Sequence, residues 1–445
     1  MYLNMKKHHY TLFVLLWLCC LPAMAQPRAG YYRVKNAGSG RYISMANDKF
    51  SYQFLFGQTN DRHFGNKPQI AGGFSNVKDH TSVVKPIIID GAGVLLKNDI
   101  HLVEDADGID ASTIVYLQKG NGSKFNIIGQ GTSLLTLTTG VYEASVRPIF
   151  KDIYTTISSS SPYTFSVEIK AAGVENISYN SLAFALGQSL FVSYANLGTR
   201  YFIDDNGSFG ITQSNSDNNA KWYTESVSKL NVKATLEYKG KYYTTMYVPF
   251  AYTLGGDVLN AYVVTGVENQ DDGTVKVIKQ KIDGTIPAGT PVVLECASND
   301  PSACYLNLTS EVPLYSPLNT ISGLGDSTTS PAQYAPAATT ATNYTGTNLL
   351  KGTYYQNEDT PFDYQYNRSG TNNSAQLDLH NTTTFSQGAV YVLGVGSSSG
   401  RLGFFKNSNT VMKANKAWLE LPAGSANEAY TLDFDEPTQK GGNNE

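Results

Sequence analysis

A short phrase is written three times in the first half of the chain: Gly38-Ser39-Gly40-Arg41-Tyr42-Ile43, Gly122-Ser123-Lys124-Phe125-Asn126-Ile127 and Gly198-Thr199-Arg200-Tyr201-Phe202-Ile203. Each copy runs through glycine, a small hydroxyl residue, a cation and an aromatic. Glycine gives a turn its backbone freedom, and an aromatic next to isoleucine suits the start of a strand. Internal repetition constrains architecture before local propensity does, because each copy must be one supersecondary unit that buries its apolar face against its neighbours. The phrase predicts an all-β unit built three times over.

The flanking residues repeat the same order of strand, turn and strand. Gly30-Tyr31-Tyr32-Arg33-Val34-Lys35-Asn36 precedes the first copy, Thr113-Ile114-Val115-Tyr116-Leu117-Gln118-Lys119 the second, and Ser189-Leu190-Phe191-Val192-Ser193 the third. Lys221-Trp222-Tyr223 reads as the closing strand, so this domain is placed at residues 30–228. Phe50 to Asn76, rich in Gly, Asn, Gln and Phe, reads as a long insertion. Ser178 to Gly187 carries the one mild helical periodicity.

The second half, residues 231–436, holds a repeat of its own. Ala261 to Val264, Val275 to Lys279 and Ile286 to Glu295 are echoed by Val390 to Leu393, Leu402 to Lys406 and Met412 to Glu420. Alternating apolar residues in these runs predict sheets with one buried face. Two such modules facing each other make a β-sandwich-like domain. Thr320 to Thr347, rich in Ser, Thr, Ala and Pro, reads as a mobile loop, and residues 437–445 as a disordered tail.

Only 16% of the 445 residues are charged, while tyrosine stands at 30 and glycine at 40, a composition that suits an exported β protein. The net charge of -4 gives no electrostatic reason to bind nucleic acid. Lys6 to His9, the apolar run Thr11 to Leu21 and Ala23-Met24-Ala25 together read as a signal peptide over residues 1–25, with cleavage leaving Gln26 first. The run is too short to span well as a membrane anchor, and no later segment is apolar enough to cross a bilayer. The expected location is therefore exported: periplasmic, cell-surface or extracellular. Cys296 and Cys304 flank the turn sequence Asn299-Asp300-Pro301-Ser302, with strand-like residues outside them. In an oxidising compartment this spacing predicts a disulfide clasp across a hairpin. The competing reading is two free thiols with a catalytic role, and the absence of a histidine near them in sequence favours the clasp.

The opening strand and first phrase, Gly30 to Ile43, resemble ricin-type β-trefoil modules, and the threefold recurrence with Trp222 fits that pattern. The resemblance implies a β-trefoil-like fold and carbohydrate binding for the first domain. Ala220-Lys221-Trp222 stands where the family writes Gln-x-Trp, and Ser44 stands where its sugar-binding repeats place an aspartate. The second half resembles a β domain of uncharacterised secreted proteins from Gram-negative anaerobes, through Ile286-Pro287-Ala288-Gly289-Thr290-Pro291-Val292 and Ala414-Asn415-Lys416-Ala417-Trp418-Leu419.

Few residues nominate chemistry. Gly396-Ser397-Ser398-Ser399-Gly400 matches the nucleophile-elbow formula, but it joins two strands rather than a strand and a helix. Glu104 to Asp110 gathers carboxylates around Gly108, a pattern open to calcium, yet without EF-hand spacing. The histidines lack metal-ligand spacing, so no metal or cofactor is expected. Aromatics beside Asp or Asn suit a sugar, which stacks through its apolar face and bonds through its hydroxyls. Asp48 with Tyr52 is one such place, and Tyr201 with Asp205 and Asn206 is the other. At both, the competing reading is core aromatics beside an Asx turn. The sequence thus points to a non-enzymatic binding protein with glycan as the leading ligand. A structural or adhesive surface protein with protein partners, and an extracellular polymer-degrading enzyme, are the alternatives.

Overall fold

The structure is a computed structural model. It describes residues 26–45, 50–54, 93–98, 100–105, 108–139, 149–152, 154–169, 198–271, 275–314, 344–354, 363–367, 374–378, 390–397, 399–406, 412–421 and 429–431. The proposed leader, the third copy's lead-in, the helical candidate and the tail lie outside them. Among the described residues every regular element is a strand or a short 3-10 turn, so the chain is all-β.

In the first half, β1 (Gly30–Asn36) turns back into β2 (Tyr42–Ser44). Then come β3 (Phe50–Phe54), β4 (Gly93–Asn98) and β5 (His101–Val103). β6 (Val115–Lys119) and β7 (Lys124–Gly129) make the second hairpin. β8 (Thr132–Ser133), β9 (Leu135–Thr139), β10 (Ile149–Asp152) and β11 (Thr155–Ile157) follow. β12 (Phe165–Ile169), β13 (Gly198–Asp205), β14 (Ser208–Thr212) and β15 (Trp222–Ser226) complete the half. The antiparallel path β1-β2-β5-β14-β13-β12-β11 continues through β7 and β6 back to β1, so the sheet closes on itself. Closure removes the open edges that would otherwise template association. β15 adds to β1 from Tyr32↔Ser226 to Asn36↔Trp222, pairing the first strand with the last of this half. β10-β9-β4-β3 forms a separate antiparallel sheet.

The repeated phrase does three related jobs. In the first copy, buried Asn36 organises the turn: its side-chain oxygen accepts from the Gly38 and Ser39 N–H groups, both at 2.9 Å, while Gly40 takes φ +78°. In the second, Gly120 N–H bonds Lys124 O at 2.8 Å and Gly122 sits at φ +62°. In the third, Gly198 is already a strand residue, opposite Ile169. Tyr42 and Phe125 are buried directly after their cations, but in the third copy the buried aromatic is Phe202, one residue later. Phe165, Phe202, Phe209 and Trp222 pack as one aromatic cluster with ring centroids 5.1–6.5 Å apart. The Trp222 indole N–H donates to Phe202 O at 3.1 Å, which satisfies its polar atom inside the core.

The second half begins with β16 (Lys229–Asn231), β17 (Leu236–Tyr238), β18 (Lys241–Met246) and β19 (Tyr252–Gly256). β20 (Val258–Asn269), β21 (Val275–Ile282), β22 (Val292–Cys296) and β23 (Cys304–Leu308) follow. After β24 (Leu350–Thr353), β25 (Asp363–Asn367) and β26 (Ser374–Asp378) pair with each other. β27 (Val390–Val395), β28 (Leu402–Lys406), β29 (Lys416–Glu420) and β30 (Ala429–Thr431) end the fold. A ten-stranded sheet runs β17-β18-β22-β20-β21-β30-β28-β27-β29-β24, and β16-β23-β19 forms a smaller one. The sequence repeat is a repeat of topology: β22 returns to β20 as β29 returns to β27. One apolar cluster joins both copies, with Val264, Val277 and Val293 from one and Tyr391, Phe404 and Leu419 from the other.

The two halves share a core. Tyr31, Ile114, Tyr116 and Ile128 belong to the same buried cluster as Leu230, Val248, Phe250 and Leu294. The Tyr31 hydroxyl donates to Glu311 O at 2.8 Å, and Asn231 accepts from Ile109 N–H at 2.7 Å while donating to Pro301 O at 2.6 Å. The turn after β7 meets the turn before β29 through buried Gln130 and Asn415. Gln130 Nε2 donates to Asn415 Oδ1 at 2.8 Å, and Asn415 Nδ2 donates back to Gln130 Oε1 at 3.0 Å. Both residues are in the left-handed region, at φ +51° and +57°.

One expectation is corrected here. Cys296 and Cys304 are buried free thiols, not a disulfide. The thiols interact with each other without a bond, and their strands form no common hairpin: β22 pairs with β18 and β20, whereas β23 pairs with β16 and β19. The turn between them, held by Asp300 accepting from Ser302 N–H at 2.8 Å, carries the chain from one sheet to the other.

Candidate functional site

The outer face of β15, β1 and β2 brings Arg33, Lys35 and Glu225 together with Tyr42 and Tyr223. Residues two apart on a strand share a face. Val34 and Trp222 point into the core, so Arg33, Lys35, Tyr223 and Glu225 point the other way. Across β1 and β15, Lys35 lies opposite Tyr223 and Arg33 opposite Glu225. On the other side, Lys35 lies opposite Tyr42. The Arg33 guanidinium stacks 3.6 Å above the Tyr42 ring, and the Lys35 ammonium lies 5.2 Å from the same centroid. Arg33 also bonds Asp105 at 2.8 Å, and the Tyr42 hydroxyl donates to Glu225 at 2.9 Å. Burial, followed by the Glu225 bond, raises the Tyr42 pKa, so the phenol stays protonated and remains a donor. Tyr223 is 42% exposed on this face.

Arg41, from the turn that enters β2, extends the strip. It bonds Glu104 at 2.9 Å and Asp204 at 3.3 Å. Asp204 is 2% exposed and its other oxygen accepts from Gly207 N–H at 2.6 Å. Asn206 and Gly207, at φ +50° and +92°, form the two-residue turn between Asp205 and Ser208. Positive φ at both central positions is what a type I′ hairpin requires, and Asn-Gly supplies it.

The proposed site residues therefore separate. Asp205 and Asn206 are exposed at a hairpin tip, and Tyr201 is half-buried four residues back along β13, opposite Thr212. Asp48 lies outside the described residues. Tyr52 lies on β3 opposite Leu96, on a different sheet from Tyr201. The buried acid next to the predicted pair is Asp204, which sequence reading missed. Alternation inward from Phe202 was the signal that could have found it.

The acidic stretch from Glu104 is committed to other partners. Glu104 meets Arg41, Asp105 meets Arg33, and Asp110 caps the 3-10 turn Ala111–Thr113 by accepting from Ser112 N–H at 2.8 Å. Among the described residues no group of three His, Cys, Asp or Glu side chains could hold a metal ion. The nucleophile-elbow look-alike is the turn between β27 and β28, closed by Gly400 N–H on Gly396 O at 2.7 Å.

Two further polar centres lie in the second half. Glu295, buried on β22, is met by Lys241 and by the Tyr262 hydroxyl at 2.8 Å. Lys416 donates to Thr244 Oγ1 at 2.7 Å, and burial pulls its pKa down to about 8. Burial raises both thiol pKa values. Thiols held protonated are poor nucleophiles. No helix among the described residues is long and apolar enough to cross a membrane. Comparison with protein-family models, curated proteins and solved structures finds no match to the chain.

Proposed function

We propose that the chain is an exported, non-enzymatic binding protein of the cell envelope or exterior, and that its ligand is a glycan. Residues 1–25 are the leader in this reading, and Gln26 begins the mature chain. The observation that carries the ligand class is the face around Tyr223. An exposed ring stands between a cation, Lys35, and a carboxylate, Glu225. A sugar offers an apolar C–H face to such a ring. The carboxylate bonds Tyr42 with one oxygen and retains lone pairs for hydroxyls.

The β-trefoil-like reading of the first half draws support from the two described phrase hairpins, the pairing of β1 with β15 and the core position of Trp222. The sandwich-like reading of the second half draws support from the apolar cluster shared by its two repeats. A scaffold role fits the carboxylates of Glu104, Asp105, Asp110, Asp204 and Glu295, each held by a cation, a phenol or a backbone N–H. The test is a glycan-array screen of the full mature chain, with circular dichroism confirming a folded β protein. Carbohydrate signal is the expected result. A folded protein with no signal on any glycan refutes the ligand class and leaves the adhesive, protein-binding alternative ahead.

A further inference from the structure

Gln26 is the residue that leader removal would expose, and the fold has already fastened its side chain. Its Nε2 donates to Ile157 O at 2.6 Å, and its Oε1 accepts from the Lys119 ammonium at 3.1 Å. Lys119 is steadied 4.3 Å over the Phe125 ring. Pro27, the next residue, is buried and anchors the approach to the barrel wall. A free α-amine and a carboxamide on the same residue are a nucleophile and an acyl carbon whose joining closes a five-membered ring. Such intramolecular pairs gain the proximity that a bimolecular reaction lacks.

We propose that the mature N-terminus closes on itself as a pyroglutamyl lactam, and that Lys119 promotes the closure; the inference rests on the cleavage reading given above. The unprotonated α-nitrogen of Gln26 attacks its own Cδ, forming the C–N bond. Negative charge develops on Oε1, where the Lys119 ammonium already donates, as donors do in an oxyanion hole. The intermediate collapses by breaking the Cδ–Nε2 bond. The proton lost by the α-nitrogen is balanced by the one taken up by the departing nitrogen, so ammonia leaves and nothing is oxidised or reduced. The lactam keeps the oxygen that Lys119 holds and removes the terminal positive charge. The structural consequence is an N-terminus without a free amine, held on β6 by the same lysine, while the Nε2 bond to Ile157 O on β11 is lost with the ammonia.

The experiment is intact-mass and N-terminal analysis of the full mature chain. In one arm it is purified from an exporting host. In the other it is released in vitro so that Gln26 becomes the first residue with no host enzyme present. A chain starting at Gln26 that loses one ammonia in both arms is expected, and one that keeps an open Gln26 amine in both overturns the proposal. Loss of ammonia only in the exporting host assigns closure to an enzyme and overturns the role of Lys119. An exported chain that keeps its leader or starts at another residue overturns the cleavage reading and the lactam with it. In vitro, Lys119→Met should slow closure roughly fivefold, the effect of one lost hydrogen bond. Folded wild-type protein should also close faster than the same chain in urea. Equal rates in both comparisons overturn the assignment to Lys119.

Discussion

Replacing Gln130 and Asn415 by glycine, singly and together, isolates the amide pair that joins the two halves. Glycine is the right probe because both residues sit at positive φ, where any other substitution adds backbone strain. Asn415→Gly removes two bonds to Gln130 and one from Nδ2 to Tyr247 O at 3.1 Å. At about 1 kcal/mol net for each bond, offset by about 1 kcal/mol of relieved left-handed strain, the cost is about 2 kcal/mol. Gln130→Gly removes the same two shared bonds and leaves the Asn415 amide half-paired in a dry site, at about 2 kcal/mol. Each single variant already loses both shared bonds, so the double variant should cost well below the sum. The coupling expected is about 2 kcal/mol. Urea unfolding followed by tryptophan fluorescence suits the question, since Trp222 lies in the first half and Trp418 in the second. With Trp222 and Trp418 replaced by Phe in turn, both reporters should share one midpoint in the parent chain, because Tyr31 and Phe250 belong to one core. Additive costs in the cycle, or two separate midpoints in the parent, would refute the fused-body reasoning.

Three other outcomes follow from named groups. Lys416 has a folded-state pKa of about 8 against an ordinary 10.5, so the unfolded chain binds more protons between those values and stability should rise with pH across that window. Lys416→Met should flatten that rise and stabilise the protein at pH 7 by about 2–3 kcal/mol, read from urea midpoints; an unchanged pH profile contradicts the burial argument. Asp204→Ala should cost about 1–3 kcal/mol by leaving the Gly207 N–H without its acceptor, Arg41 keeping Glu104, whereas Asp205→Ala should stay within about 0.5 kcal/mol; similar costs at the two positions contradict the assignment of the buried acid. Cys296 and Cys304 should resist a thiol reagent in the native protein and both react after unfolding without reductant; no reactive thiol under those conditions contradicts the free pair.

Periodicity made the strands and the repeats legible. The second-half repeat reappears as β20-β21-β22 and β27-β28-β29 because hairpin order is a local property. Even the turn chemistry carries over: Gly289 and Asn415 both adopt positive φ, and their backbones meet Val248 and Tyr247 in turn. Tertiary choices were not legible. The residues flanking Cys296 and Cys304 read as strands, and they are strands, but nothing local says that they join different sheets. The third phrase looked equivalent to the others, yet its buried aromatic is Phe202 rather than Tyr201, and that one-residue slip moves the inward acid from Asp205 to Asp204. The partners Gln130 and Asn415 stand 285 positions apart, beyond the reach of any local pattern.

The most direct measurement of the account is glycan affinity for the full mature chain beside its Tyr223→Ala and Glu225→Gln variants. Tyr223→Ala removes an exposed ring, and Glu225→Gln keeps an oxygen that can accept from the Tyr42 hydroxyl, so thermal midpoints should hold. Affinity should fall at least about tenfold in each, the loss of roughly 1.4 kcal/mol from a stacked ring or a charged acceptor. Undiminished affinity in both variants, with the fold intact, would contradict the placement of the binding face.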